Sequence, residues 1–183
     1  MGNQFQNIII TGAPGTGKTT LINAIRRRGF FCFDEVSRDV ITLQQQCGGN
    51  CFPWDNVLGY SIKVIDVMQN RYIWDCTDRV YFFDRAVPDV IAYLNYYNSE
   101  VPDSCFKELQ KFPISSTLVF FAPFWDDIYI NDLQRPESFA DAMKISESLF
   151  ETYSSLKYNI IELPKISVDE RVDFILSKIK KLI

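Results

Sequence analysis

The sequence contains no histidine. Catalytic triads and dyads that use a histidine base are therefore excluded, and so are zinc sites with histidine ligands. No apolar run approaches the roughly 18 residues of a membrane-spanning helix, and the polar residues 1–6 are not expected to act as a signal peptide. Basic residues are not in excess, since the net charge is −4. A dedicated nucleic-acid-binding surface and a membrane partner are therefore not expected.

Cysteines are few and scattered. The five cysteines include no CxxC motif, and without a secretion signal they indicate reduced thiols in a cytoplasmic protein. Cys47 and Cys51 form the only close pair. Two thiolates supply half of a typical zinc site, so a metal or redox pair is the minor interpretation. No linker divides the 183 residues, and residues 1–183 are expected to form a single domain.

Short apolar segments alternate along the chain with segments of helical periodicity. Five segments have the length and apolar character of buried strands, at residues 5–11, 30–34, 79–84, 117–122 and 158–163. Parallel strands that are connected by helices have both faces of their sheet covered. The pattern predicts an α/β fold: a three-layer sandwich whose five-stranded parallel sheet carries helices on both faces.

The clearest motif lies between the first predicted strand and a helix predicted at residues 18–28. It fits the pattern G-x-x-x-x-G-K-[ST] of a phosphate loop (P-loop), in which glycines let backbone N–H groups face an anion. Lys18 is expected to reach the β- and γ-phosphates, and the Thr19 hydroxyl to bind Mg²⁺. ATP or GTP with Mg²⁺ is therefore the expected ligand. The expected nucleotide-binding residues are Gly12, Ala13, Pro14, Gly15, Thr16, Gly17, Lys18, Thr19 and Thr20.

A phosphate loop needs an acid at the end of a neighbouring strand to complete the Mg²⁺ shell. Asp84 follows four apolar residues and suits this role, although capping of the next helix is an alternative. Arg85 follows, where motor ATPases usually carry a second acid. The Asp84–Arg85 pair resembles that of thymidylate and deoxynucleoside kinases, where the arginine holds the substrate near the transferred phosphoryl group. An ion pair with a nearby carboxylate is the alternative for Arg85. The base-recognition motif of Ras-like GTPases is absent from the sequence.

Five further segments form a characteristic set with residues 10–21 around the phosphate loop. They are DEVSRDVI at 34–41, GGNCFPW at 48–54, FDRAVPD at 83–89, PFWDDIYIND at 123–132 and SVDERVDFI at 167–175. Over nearly its whole length the chain resembles the NadR-type AAA-domain family of P-loop proteins, which are predicted ATPases or kinases. The phosphate loop is typical of many nucleotide-binding proteins, whereas the five segments together are specific to this family. The resemblance implies a nucleotide site and a kinase-like fold, in which the five parallel strands are expected in the order 2-3-1-4-5.

Candidate acceptor-binding residues follow the second predicted strand, at the edge of the sheet where open α/β folds bind ligands. In deoxynucleoside kinases, which the chain resembles, a glutamate here acts as the base on the substrate hydroxyl. Glu35 is the candidate base, and a helix N-terminal acid stabilised by the dipole is the alternative. Arg38, one turn later, either pairs with Glu35 or binds substrate. Trp54 lies in a loop that either closes over a flat substrate or packs into the core.

A lid is predicted at residues 124–137, after the fourth strand, where small kinases carry one. Arg135 is the lid residue expected to reach the phosphates on closure. An exposed ion pair is the alternative for this arginine.

These residues predict an ATP-dependent, Mg²⁺-dependent kinase that phosphorylates a nucleoside-like or other small hydroxyl acceptor. The expected catalytic residues are Lys18, Glu35, Asp84, Arg85 and Arg135, and the expected acceptor-binding residues are Glu35, Arg38, Trp54 and Arg85. The alternative function is a slow NTPase that acts as a regulatory nucleotide-binding switch. An oligomeric AAA+ motor is a weaker third hypothesis, because the second acid after Asp84 is missing. The oligomeric state is left open.

Overall fold

The computed structural model of the protein describes residues 7–72, 80–128 and 138–182, and its centre is a five-stranded sheet. The strands are β1 (Asn7–Thr11), β2 (Phe31–Phe33), β3 (Tyr81–Asp84), β4 (Thr117–Phe121) and β5 (Asn159–Glu162). They are ordered β2-β3-β1-β4-β5, and every neighbouring pair is parallel. The predicted fold class and strand order are therefore confirmed.

Alternation of side chains along the central strands separates two hydrophobic cores. Ile8 and Ile10 face one core, whereas Ile9 faces the other. The same period of two places Phe82 in the first core and Phe83 in the second. Because β1, β3 and β4 are buried on both faces, their sequences are nearly continuous apolar runs.

Helices cover both faces of the sheet. They are α1 (Lys18–Arg27), α2 (Val36–Cys47), α3 (Val57–Arg71), α4 (Val87–Tyr96), α5 (Asp103–Leu109), α6 (Phe139–Ser155) and α7 (Val168–Leu182). The core that contains Ile8 and Ile10 is completed by apolar side chains of α1 and α7. The opposite core receives its side chains from α2 to α6. Three layers result, as predicted, while the expectation that residues 1–183 form one domain remains a prediction.

Polar side chains cap several of the described helices at their N-termini. Asn56 accepts a hydrogen bond from the Gly59 N–H at the start of α3, and Ser138 forms a capping box at the start of α6. A capping box also begins α7, because the Ser167 N–H donates to Glu170 Oε2 at 3.1 Å. Helix α3 ends at Arg71, and residues 73–79 lie outside the described part of the chain.

Candidate active site at the carboxyl edge of the sheet

The phosphate loop connects β1 to α1 at the carboxyl edge of the sheet. Gly17, the residue before α1, has a φ of 79°, in the left-handed region that favours glycine. Gly12, with a φ of 143°, passes so close to β4 that a Cβ atom on it would lie 2.3 Å from the Ala122 carbonyl oxygen. A backbone oxygen cannot move aside as a flexible side chain can. The glycines of the motif therefore permit both the turn and the close contact between the loop and the end of β4.

Lys18 is held by the phosphate loop itself. Its Nζ donates to the Ala13 carbonyl oxygen at 2.7 Å and lies 3.4 Å from Thr16 Oγ1, while Thr16 Oγ1 donates to the same carbonyl at 2.9 Å. The residue is only 4% exposed. An ammonium group carries three donors on a flexible stem, so it can exchange loop oxygens for phosphate oxygens. The role of Lys18 in binding nucleotide phosphates remains a prediction.

Thr19 and Asp84 come together beside the loop. Residue Ile10 of β1 is paired with Asp84 of β3, and the Thr19 hydroxyl donates to Asp84 Oδ2 at 3.3 Å. The carboxylate is buried. A hydroxyl and a carboxylate are oxygen ligands of the kind Mg²⁺ uses together with nucleotide phosphates and water. The donor set therefore fits Mg²⁺, and the role of Asp84 and Thr19 in binding it remains a prediction.

Arg85 leaves the strand in an unusual backbone conformation. Its φ is 69°, and its backbone N–H donates to the Ile10 carbonyl at 3.0 Å. The side chain departs from Asp84 and reaches Glu35, whose Oε1 accepts from Arg85 Nε at 2.8 Å. Its Nη1 also donates to Asp89 Oδ1 at 3.0 Å. Successive residues at the end of β3 thus serve different neighbours: Asp84 contacts the phosphate loop, and Arg85 contacts two carboxylates.

The Arg85 ion pairs lie almost wholly out of solvent. The side chains of Arg85, Glu35 and Asp89 are 4%, 7% and 4% exposed. Burial alone lowers the pKa of Arg85, but the nearby carboxylates, led by Glu35, outweigh it and raise that pKa well above its ordinary value. Arg85 is therefore permanently charged. Both interpretations proposed from the sequence have support here, because Arg85 is ion-paired and also lines a pocket.

Asp89 organises the centre of this network, and sequence reasoning assigned it no role. Its Oδ1 accepts from Thr11 Oγ1 at 2.7 Å in addition to Arg85. Its Oδ2 accepts from the Ala86 N–H at 3.0 Å and from the Tyr153 hydroxyl at 2.5 Å. Burial and the neighbouring Asp89 raise the pKa of Tyr153 well above its ordinary value, so Tyr153 remains a donor. The signal in the sequence was an acid in the first turn of α4, a position that normally indicates only a helix cap.

A pocket lies beside this network, and none of its lining residues belongs to the phosphate loop. Its empty volume, including the part open to solvent, is about 550 Å³. Polar side chains and apolar side chains both line it: Glu35, Ser37, Arg38, Ile41, Pro53, Tyr60, Ser61, Val64, Met68, Arg85, Asp89, Val90 and Tyr93. Three of the four residues expected to bind the acceptor, Glu35, Arg38 and Arg85, therefore share one pocket, and their roles there remain predictions.

Arg38 and Trp54 are more exposed than Glu35 and Arg85. Arg38 Nε lies 3.6 Å from Glu35 Oε2, and its side chain is 39% exposed. Trp54 is 40% exposed and stacks on Phe52 at a centroid distance of 5.3 Å. Pro53 lines the pocket and Trp54 does not. Contact between Trp54 and an acceptor therefore requires a change in this loop and remains a prediction.

The lid remains a prediction as well. Arg135 and the rest of residues 129–137 lie outside the described part of the chain. Residues 124–128 are described and include a short 3₁₀ turn at Asp126–Ile128.

The four described cysteines are free thiols, and within the described ranges no three acidic or cysteine side chains form a metal-binding cluster. No helix in those ranges is long and apolar enough to cross a bilayer.

Comparisons with known proteins agree with this architecture. A protein-family model described as an AAA domain matches residues 7–171. Comparison with curated proteins finds no match. Among solved structures, deoxyadenosine kinase from M. mycoides, with dCMP and dCDP bound, aligns with a TM-score of 0.67 at 12% identity over 97% of this chain and 100% of its own.

Two other solved structures share the fold. Thymidylate kinase from Candida albicans aligns with a TM-score of 0.65 at 16% identity, over 97% of this chain and 92% of its own. A NadR protein in complex with NR aligns with a TM-score of 0.64 at 14% identity, over 98% of this chain and 51% of its own. The chain thus spans about half of that NadR protein. At identities this low, the alignments show that the chain shares the fold of these kinase-like P-loop proteins.

Proposed function

Because the chain belongs to the AAA-domain family, whose model spans residues 7–171, we propose that it is a kinase. The proposed reaction requires Mg²⁺ and transfers a phosphoryl group from ATP to the hydroxyl of a nucleoside-like acceptor. One observation carries this proposal. The Glu35–Arg85 ion pair lines a pocket, and the residue before Arg85 contacts the phosphate loop through Thr19. A donor site and a possible acceptor site therefore meet at the end of β3.

The donor half of the reaction is assigned to the phosphate loop. Its backbone N–H groups and Lys18 bind the phosphates, and Thr19 with Asp84 would hold Mg²⁺, which neutralises charge on the transferred group. Arg135 is proposed to add a second cation when the lid closes. These groups stabilise negative charge without taking part in covalent chemistry.

The acceptor half is assigned to Glu35 and Arg85. Glu35 Oε2 is 3.6 Å from Arg38 Nε, while Oε1 is engaged by Arg85. A carboxylate oriented in this way can accept the proton of an acceptor hydroxyl as the oxygen attacks the γ-phosphorus. Arg85 fixes the Glu35 side chain from one side, and Arg38 borders the pocket from the other.

The charges of the pocket favour an uncharged acceptor. Among the described lining residues, two carboxylates, Glu35 and Asp89, are matched by two guanidinium groups. Arg85, the buried one, is already bound to both carboxylates. An acceptor with a phosphate or carboxylate would enter without a spare buried cation to offset its loss of hydration. Aromatic rings of Tyr60 and Tyr93 and apolar walls suit a flat ring instead.

A regulatory NTPase is the second candidate, and a specific observation favours it. The charge of Arg85 is already balanced by its ion pairs with Glu35 and Asp89, without any acceptor. An arginine with a purely structural role would make the same contacts. In that case nucleotide hydrolysis would proceed at its own slow rate, and no small molecule in the pocket would accelerate it.

The selectivity among acceptors tests the proposal. ADP formation is measured at equal concentrations of nucleosides, of nucleoside monophosphates and of small hydroxy-carboxylates. We expect ADP formation with nucleosides to be at least about tenfold faster than with either of the other two classes. A tenfold difference corresponds to a loss of about 1.4 kcal/mol in the interaction of the charged acceptors with the pocket. Acceleration by the monophosphates instead would refute the charge argument, and no acceleration by any class would favour the NTPase switch. Arg38→Ala, at the rim of the pocket, is the matched variant, and it should leave the order of the classes unchanged.

A further inference from the structure

Arg171, in the first turns of α7, is a buried cation that no function described so far uses. It is 3% exposed. Its Nε donates to the Pro164 carbonyl oxygen at 2.9 Å, and its Nη1 lies 3.4 Å from the Thr16 carbonyl oxygen. The guanidinium carbon lies 4.9 Å from the centre of the Trp125 ring. One side chain therefore joins the phosphate loop, the segment after β5 and the segment after β4.

The charge of Arg171 has no carboxylate partner among the described residues. Two acids close to it in the sequence of α7 are engaged elsewhere, since Glu170 bonds to Ser167 and Asp173 pairs with Arg28. Nη2 is buried and makes no hydrogen bond, and burial lowers the pKa of the guanidinium. Buried arginines are normally paired with an anion. An unpaired one beside a phosphate loop indicates that the compensating charge arrives with the nucleotide.

The contact with the Thr16 carbonyl also bears on the orientation of the peptide between Thr16 and Gly17. In a trans peptide the C=O and N–H groups point to opposite sides. Because the Thr16 carbonyl is turned toward Arg171 on α7, the N–H of Gly17 in the same peptide is turned away from Arg171. A guanidinium next to the carbonyl oxygen also polarises this peptide, so that its N–H attracts an anion more strongly.

We propose that Arg171 is a positioning residue of the nucleotide site. By donating to the Thr16 carbonyl it holds the Gly17 N–H toward the phosphates, and through the face of Trp125 it couples the segment after β4 to the same peptide. The triphosphate supplies the negative charge that Arg171 lacks in the protein alone. The inference depends only on the nucleotide-binding part of the proposed function and is independent of the acceptor.

Substitution of Arg171 tests the inference by nucleotide affinity. Arg171→Met keeps an apolar stem and removes the charge and donors, and Arg171→Lys keeps the charge without the planar fork. We expect the Kd for ATP with Mg²⁺, measured by calorimetry, to rise about tenfold in Arg171→Met, as for the loss of one charge-assisted hydrogen bond, and to rise less in Arg171→Lys. Arg28→Met is the matched control, because Arg28 contacts α7 through Asp173 at 3.2 Å and should bind nucleotide normally.

Tryptophan fluorescence supplies a second readout that a merely structural arginine would not change. Nucleotide binding is expected to alter the emission of the wild-type protein, and this response should vanish in both Trp125→Phe and Arg171→Met. Unchanged affinity in folded Arg171→Met, even with a lower unfolding temperature, would overturn the inference. If that variant does not fold, Arg171→Lys with wild-type affinity and wild-type response would overturn it equally. Absence of nucleotide binding in the wild-type protein would instead refute the proposed function itself.

Discussion

Arg85→Ala is expected to lower the free energy of unfolding by about 3–5 kcal/mol, the range for removing one partner of a buried ion pair. The substitution leaves Glu35 and Asp89 buried, 7% and 4% exposed, without the guanidinium that both contact. The remaining hydrogen bonds to Asp89 and the partly exposed Arg38 beside Glu35 compensate only in part for their mutual repulsion and lost hydration. We also expect acceptor-dependent transfer to be lost, because Glu35 is no longer held at the pocket. Urea unfolding at neutral pH measures the first effect.

Two further variants separate stability from catalysis. Arg26→Ala removes a guanidinium from the exposed Arg26–Asp34 pair, whose side chains are 38% and 66% exposed, and should cost at most about 1 kcal/mol. The double variant Arg85→Met with Glu35→Gln removes one positive and one negative charge together, so it should regain part of the stability but none of the transfer. A stability loss for Arg85→Ala no larger than that of Arg26→Ala would contradict the buried network.

Lys18→Ala is expected to weaken nucleotide binding by about a hundredfold or more, the effect of losing two hydrogen bonds to charged phosphates. The fold should persist, since Nζ contacts only oxygens of its own loop, at Ala13 and Thr16. Calorimetric titration with ATP and Mg²⁺ measures the affinity. Lys63→Ala, at an exposed position on α3, is the matched control and should bind as the wild type does. Unchanged affinity in folded Lys18→Ala would disprove the assignment of the phosphate loop.

The phosphate loop and the strand before it could be predicted from the sequence, because both depend on local signals. The run that precedes Gly12 is apolar on both faces, which indicates a central strand, and a lysine after a glycine-bearing turn has a specific chemical use. The resemblance to kinases then supplied the order of the strands. The register that brings Asp84 beside Thr19 follows from that order, since β1 and β3 are neighbours.

Asp89 and Arg171 could not be identified in the same way. Each lies on a helix whose apolar residues face the core, and a single charged residue beside such a face normally points to solvent. Only tertiary packing brings Asp89 under Arg85 and Arg171 against the Thr16 carbonyl. The sequence likewise could not show that Pro53 and not Trp54 lines the pocket. That depends on the conformation of a loop, and a loop has no periodic sequence pattern.

The ratio of inorganic phosphate to ADP tests the central claim most directly. Purified protein is given ATP, Mg²⁺ and a nucleoside that accelerates the reaction, and both products are measured over the same time course. A kinase transfers the phosphoryl group to the acceptor, so we predict ADP with almost no free phosphate and a nucleoside that gains one phosphoryl group by mass. Glu35→Gln should abolish this transfer while still binding nucleotide. Equal amounts of phosphate and ADP, formed at a rate that no acceptor changes, would contradict the account and identify a nucleotide-hydrolysing switch.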